Sequence, residues 1–196
     1  MQTRKLDTLL SDNRAALLER WLDTILGSYA EDAVKFMRLR KDAFANPLGS
    51  TIKRESELLL DALLQGSDEA TLREHLDPIV RIRAVQQMPA QTALQFVLEL
   101  RHVVRDELGQ QVEQQGLEQE LLAFGRRVDS LALLAFEIYA SCREKVWELR
   151  ANDAKRRVQR LLDRAHRMWG DEGLQPEPGV EAVPDPPLEP EPDGDG

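Results

Sequence analysis

The chain has 196 residues, enough for one domain with a proper core and some additional segments. Its formal net charge of −9 is unevenly placed: from Asp171 onward there are nine Asp or Glu, seven Pro and no Lys or Arg, while residues 1–170 hold 26 acids against all 26 bases. A neutral body with an acidic tail argues against nucleic-acid binding, which wants a concentrated cationic surface.

The amino terminus, Met1-Gln2-Thr3-Arg4-Lys5-Leu6, leads into acids and amides rather than an apolar signal core. Ser11 reads as the N-cap of a first helix whose stripe is Leu17, Leu18, Trp21, Leu22, Ile25 and Leu26. A second helix is expected from about Ala30, with Ala33, Val34, Phe36, Met37 and Leu39, stopping at the Asn46-Pro47 turn, where Gly49 would allow unusual dihedrals. A third runs from about Ser50 to Gly66 with Ile52, Leu59, Leu60, Leu63 and Leu64 inward. Ser67 then caps a shorter helix through about His75, and Pro78 suits the first turn of another. Pro89 repeats that device for a helix bearing Leu94, Val97, Leu98, Val104 and Leu108.

The last helical stretch, about Leu117 to Trp169, is the longest. Leu117, Leu121, Phe124, Val128, Leu131, Ala135, Ile138 and Cys142 step by 4 and 3 alternately, a heptad rhythm that resumes at Val158, Leu161, Ala165 and Met168. A bend or break is expected near Gly125 or Ala151-Asn152-Asp153. Leu131 to Ala140 is apolar nearly all round and should be the buried centre of a bundle, whereas Lys155 to Arg167 is basic on one face. The tail beyond Asp171 should be disordered. The most apolar run, Leu131 to Cys142, is 12 residues and contains Glu137, short of the ~20 a membrane span needs. The lone Cys142 suits a reducing compartment, so a soluble cytoplasmic protein is expected.

No nucleophile motif, phosphate-binding loop or dinucleotide fingerprint is present. His75, His102 and His166 lack a second ligand at i+3 or i+4, which disfavours a metal site, and His102, flanking the apolar stripe of its helix, reads as a surface or boundary histidine rather than a haem ligand, so no cofactor is expected. Arg81 and Arg83 project about 160° apart on a helix, among Ile79, Val80, Ile82 and Val85. At least one must therefore meet the core boundary, where a guanidinium needs a carboxylate, carbonyls or a bound anion. Asn46-Pro47-Leu48-Gly49 reads first as a capping turn.

Two stretches, Phe44-Ala45-Asn46-Pro47-Leu48-Gly49 and Asp77 to Gln86, together with Met88 to Ala93, resemble the amino-terminal domain of RsbRD-type RsbT co-antagonists. The resemblance covers roughly residues 8–150 and rests on Tyr29, Phe44, Asn46, Pro47, Gly49, Asp77, Pro78, Arg81, Arg83, Gln86, Pro89 and Gln91. It implies a sensory head attached to bacterial signalling proteins. No alternating β/α segment follows Trp169, so the kinase-binding output of longer members does not carry over.

The expected architecture is therefore all-α. A single helical bundle, globin-like or plainer, would occupy residues 1–150, with a C-terminal helix extension over 151–170 and the acidic tail over 171–196. The expected function is a non-enzymatic sensory or regulatory interaction module. Its candidate partner- or ligand-binding residues are Tyr29, Asn46, Arg81, Arg83 and Gln86, for a protein partner or a small anionic ligand. Homodimerisation through the long helix is expected, without membrane insertion. The alternative is an accessory or assembly factor docking on a redox or respiratory complex.

Overall fold

Six helices make up the described residues 5–29, 34 and 46–170 of this computed structural model: α1 Lys5–Asp12, α2 Arg14–Gly27, α3 Pro47–Gln65, α4 Glu69–Val85, α5 Ala90–Gln115 and α6 Glu118–Trp169. No strand occurs among these residues, and none of the helices is long and apolar enough to cross a membrane. Apart from Val34, the helix expected from Ala30, together with Phe44 and the acidic tail, lies outside the described residues. Residues up to Leu149 and residues from Arg150 form two separate compact units.

In the first unit the expected stripe of α2 turns inward: Leu17, Trp21 and Ile25 are fully buried and Leu18 nearly so. They meet Leu59, Leu60 and Leu63 of α3 and Phe96, Val97 and Leu100 of α5 in one continuous core. Each such side chain contributes about 1.5–3 kcal/mol by leaving water. The heptad residues Phe124, Val128, Leu131, Ala135, Ile138 and Cys142 of α6 belong to the same core. That seam therefore closes the bundle itself.

Several boundaries differ from the sequence reading. Ser11 is not a cap; it lies within α1, where its hydroxyl donates to the Asp7 carbonyl at 2.8 Å. Helix α1 buries Leu6 and Leu10, an i,i+4 pair too short to stand out by periodicity. Pro78 opens no helix. It sits inside α4, which runs unbroken from an Asp68 cap that accepts from the Thr71 N–H at 2.9 Å and the Thr71 hydroxyl at 2.7 Å. The carbonyl that a proline at 78 deprives of a donor is that of Glu74, an exposed residue that water can reach. Helix α6 likewise continues through Gly125 and Ala151–Asp153. One glycine costs a helix only about 1 kcal/mol, and a Cβ there would stand 3.6 Å from Arg101 Nε. Leu131 to Ala140 is buried on one face only, since Leu133 and Phe136 are exposed. An all-round apolar sequence cannot tell which face the bundle covers.

Asn46 caps α3 as read, its Oδ1 accepting from the Gly49 N–H at 2.9 Å. Gly49 is needed for space rather than for unusual dihedrals, because it has no positive φ. A Cβ there would meet the Asn46 amide at 2.5–3.0 Å. Gly49→Ala is thus expected to cost about 1 kcal/mol, like Asn46→Ala, through loss of the same cap. Urea titration of both single variants and the double should give a double loss well short of the sum.

In the second unit, residues 150–168 are helical and exposed, with Ala165 half-buried. Arg157 pairs with Asp153 at 2.7 Å along this stretch.

Candidate functional site

The inward face of α4 recurs as Leu76, Ile79, Val80, Arg83 and Ala84, all buried. Arg83 is therefore a fully buried cation. Its Nη2 donates to the Ile25 carbonyl and to Ser28 Oγ, both at 2.9 Å, and its Nη1 donates to the Thr92 and Ala93 carbonyls, both at 3.2 Å. Ser28 in turn donates to the Ile25 carbonyl at 2.7 Å, leaving its lone pairs free for the guanidinium. The Phe96 ring centre lies 4.8 Å from Arg83 Cζ and the Tyr29 ring centre 5.2 Å.

No carboxylate among the described residues pairs with Arg83. Its countercharge is the negative end of α2, whose last carbonyls point out of the helix, together with two aromatic faces. Burial pulls the guanidinium below its ordinary pKa, an effect opposed by Tyr29; a guanidinium nevertheless stays charged at any working pH. Burial pushes the Tyr29 phenol up, against the opposite pull of Arg83. Two polar atoms of this cage, Arg83 Nε and the Tyr29 hydroxyl, are buried without a well-formed hydrogen bond.

The α4–α5 turn lies beside the cage. Met88 N–H returns to the Arg83 carbonyl at 3.2 Å, and Gln87 takes a φ of +62°, which side chains rarely adopt. From α6, the Tyr139 hydroxyl donates to the Met88 carbonyl at 2.6 Å. One turn thus connects the buried arginine to the long helix.

Arg81 points the other way, as the two-residue spacing requires, and forms a two-bond pair with Asp77 at 2.9 and 2.7 Å. With Pro78, Ile82, Val85 and Gln86 it lines an open, largely apolar groove of about 450 Å³. The five candidate residues therefore fall in three places. Tyr29 and Arg83 meet in the interior, Arg81 and Gln86 share an outer groove of α4, and buried Asn46 caps α3. Ser28 and Phe96 complete the interior cluster, and Tyr139 ties the neighbouring turn to α6; Phe96 and Tyr139 carry a sequence signal, standing next to the apolar Val97 and Ile138, whereas nothing in the spacing marks Ser28.

His75 does not join either group. Its Nδ1 lies 3.0 Å from Glu55 Oε2, whose other oxygen takes Arg54 Nη2 at 2.5 Å. No group of three or more His, Cys, Asp or Glu among the described residues could hold a metal. Burial would raise the Glu55 carboxyl, but the hydrogen bonds from Arg54 and His75 outweigh it and hold it below the usual glutamate range. A depressed folded pKa gives stability that is present above the unfolded value of about 4.3 and is lost as pH falls through the folded value. Glu55→Gln is therefore expected to flatten the acid side of the stability–pH curve below about pH 4.3. Thermal melts of both proteins from pH 3 to 7 would check this; parallel curves would contradict it.

A family model described as the RsbT co-antagonist protein rsbRD N-terminal domain matches residues 15–154. The chain belongs to the RsbRD N-terminal domain family. An uncharacterized protein of Archaeoglobus fulgidus is 26% identical to it over 162 residues, which are 79% of this chain and 95% of the relative. No solved structure matches. The Arg83 cage and the α4 groove both fall within the RsbRD N-terminal domain match, whereas residues 155–196 lie beyond it.

Proposed function

We propose that this RsbRD N-terminal domain is a non-catalytic, cytoplasmic sensory or regulatory module that self-associates through the outer face of α6. One observation carries the reading: Leu133, Phe136 and Trp147 are 73%, 56% and 60% exposed and share one stripe with Ala140. Their steps of 3, 4 and 7 are the spacing on which two helices share a seam. Exposed aromatics in a row are what protein interfaces bury at their centre. The charges flanking the stripe are of both signs, Arg126 and Arg143 beside Asp129, Glu137 and Glu144, which suits pairing with an identical surface. The α4–α5 turn, tied to α6 by Tyr139, is the route by which a partner or small anion bound near Arg81, Gln86 or the Arg83 cage would bias that face.

Sedimentation equilibrium of the full chain and of Phe136→Glu/Trp147→Glu tests the reading. A dimer in the first and a monomer in the second are expected, with equal helicity; a monomeric native chain at all concentrations removes it. The α4 groove favours a second reading, an accessory factor docking a different protein there. Under that reading Val85→Asp, at a position 56% exposed, abolishes co-purification of the partner and leaves the oligomeric state unchanged.

A further inference from the structure

Residues 150–168 carry seven Lys or Arg and two Asp. Successive residues turn about 100° around a helix, which gathers Arg156, Arg160, Arg164 and Arg167 onto one side, opposite Val158, Leu161 and Ala165. This stretch is exposed. After Trp169 and Gly170 come the 26 residues 171–196, with nine acids and no base.

We propose that residues 171–196 fold back along the basic side of residues 150–168 and occupy it in the same molecule. Three properties of the chain support this pairing. First, the signs are opposite and both charges are concentrated. Second, the tail reaches far enough: 26 extended residues span up to about 85 Å, against about 28 Å for the 19 helical ones. Third, the acids are densest at the far end of the tail. Glu189-Pro190-Glu191-Pro192-Asp193-Gly194-Asp195 places an acid at every second residue; a polyproline helix has three residues per turn, so these acids point to all sides of the segment and some of them face the arginine row at any rotation. Arg156, Arg160 and Arg164 are one helical step of four residues apart, ~6.0 Å. Residues 171–188 supply the return loop. Covalent attachment puts the acids at about millimolar effective concentration, so they screen the arginines from other anions.

The test is paramagnetic relaxation on the ¹⁵N-labelled full chain, with a nitroxide on Gly194→Cys in a Cys142→Ala background. At 50 mM salt the amides of residues 154–167 are expected to lose more than about half their intensity and to recover it at 0.5 M salt, where the screening length is a few ångströms. Either Arg156→Ser/Arg160→Ser/Arg164→Ser or Glu189→Gln/Glu191→Gln/Asp193→Asn should abolish the effect. Neither set touches the core, and circular dichroism checks the helix. No loss in residues 154–167, or an equal loss across residues 5–149, overturns the proposal. So does a loss that survives when labelled untagged chain is mixed with unlabelled tagged chain, because the tail would then lie on a second copy, an acidic partner's mode of docking.

Discussion

Arg83→Ala is expected to destabilise the bundle by about 3–5 kcal/mol, a fall in Tm of roughly 10 °C for a chain of this size. Two effects oppose each other at this residue. Bringing a guanidinium out of water costs several kcal/mol. The cage returns it through four acceptors and two aromatic faces, and each hydrogen bond to a charged donor is worth about 1.5–3 kcal/mol net. Alanine abandons those acceptors and also leaves a void at one of the largest fully buried side chains in the protein. Arg83→Met fills the void without the donors and should fall between the two. Arg83→Lys keeps the charge but cannot fork between α2 and α5, so about 2–3 kcal/mol should be lost. Arg81→Ala, two residues away, should stay within about 0.5 kcal/mol, because its pair with Asp77 is solvent-exposed. Thermal melts followed by circular dichroism decide; an Arg83→Ala loss below 1 kcal/mol would show that the cage stands without its cation.

The second large effect is expected at Trp21. It is fully buried, its Nε1 donates to the Phe96 carbonyl at 2.7 Å, and its ring stacks on Phe96 with centres 6.1 Å apart. Trp21→Ala should cost about 3–5 kcal/mol through lost burial and an uncollapsed cavity, and Trp21→Phe about 1–2 kcal/mol through the lost hydrogen bond and smaller volume. Phe96 also faces Arg83 on its other contacts. The Trp21→Phe/Arg83→Met double variant should therefore depart from additivity by at least about 0.5 kcal/mol. Urea titration measures all three, and strict additivity would mean that Phe96 does not transmit strain between them.

The stripe Leu17, Trp21, Ile25 and the heptad run of α6 were legible because one side of a helix must be apolar to be buried, and these residues say so at the right period. That one of Arg81 and Arg83 meets the core was legible too. The period could also have chosen between them, since Leu76, Ile79 and Val80 continue to 83 and not to 81. What Arg83 holds was not legible. Three of its four acceptors are main-chain carbonyls, Ile25, Thr92 and Ala93, and every residue type carries one of those. Pro78 misled because the penalty for an interior proline depends on whether the orphaned carbonyl faces water, a property of the folded helix. Leu133 and Phe136 misled for a related reason: composition states that a segment is apolar, and only the neighbours decide which side is left uncovered.

Cys142 has a practical consequence. It is the chain's single thiol, and it is 7% exposed at the end of the α6 seam. A thiol reagent can reach it only when the helices around it part, so the rate of modification counts those openings one molecule at a time. Ligands or partners that tighten the bundle would slow this clock and those that loosen it would speed it, with no residue changed.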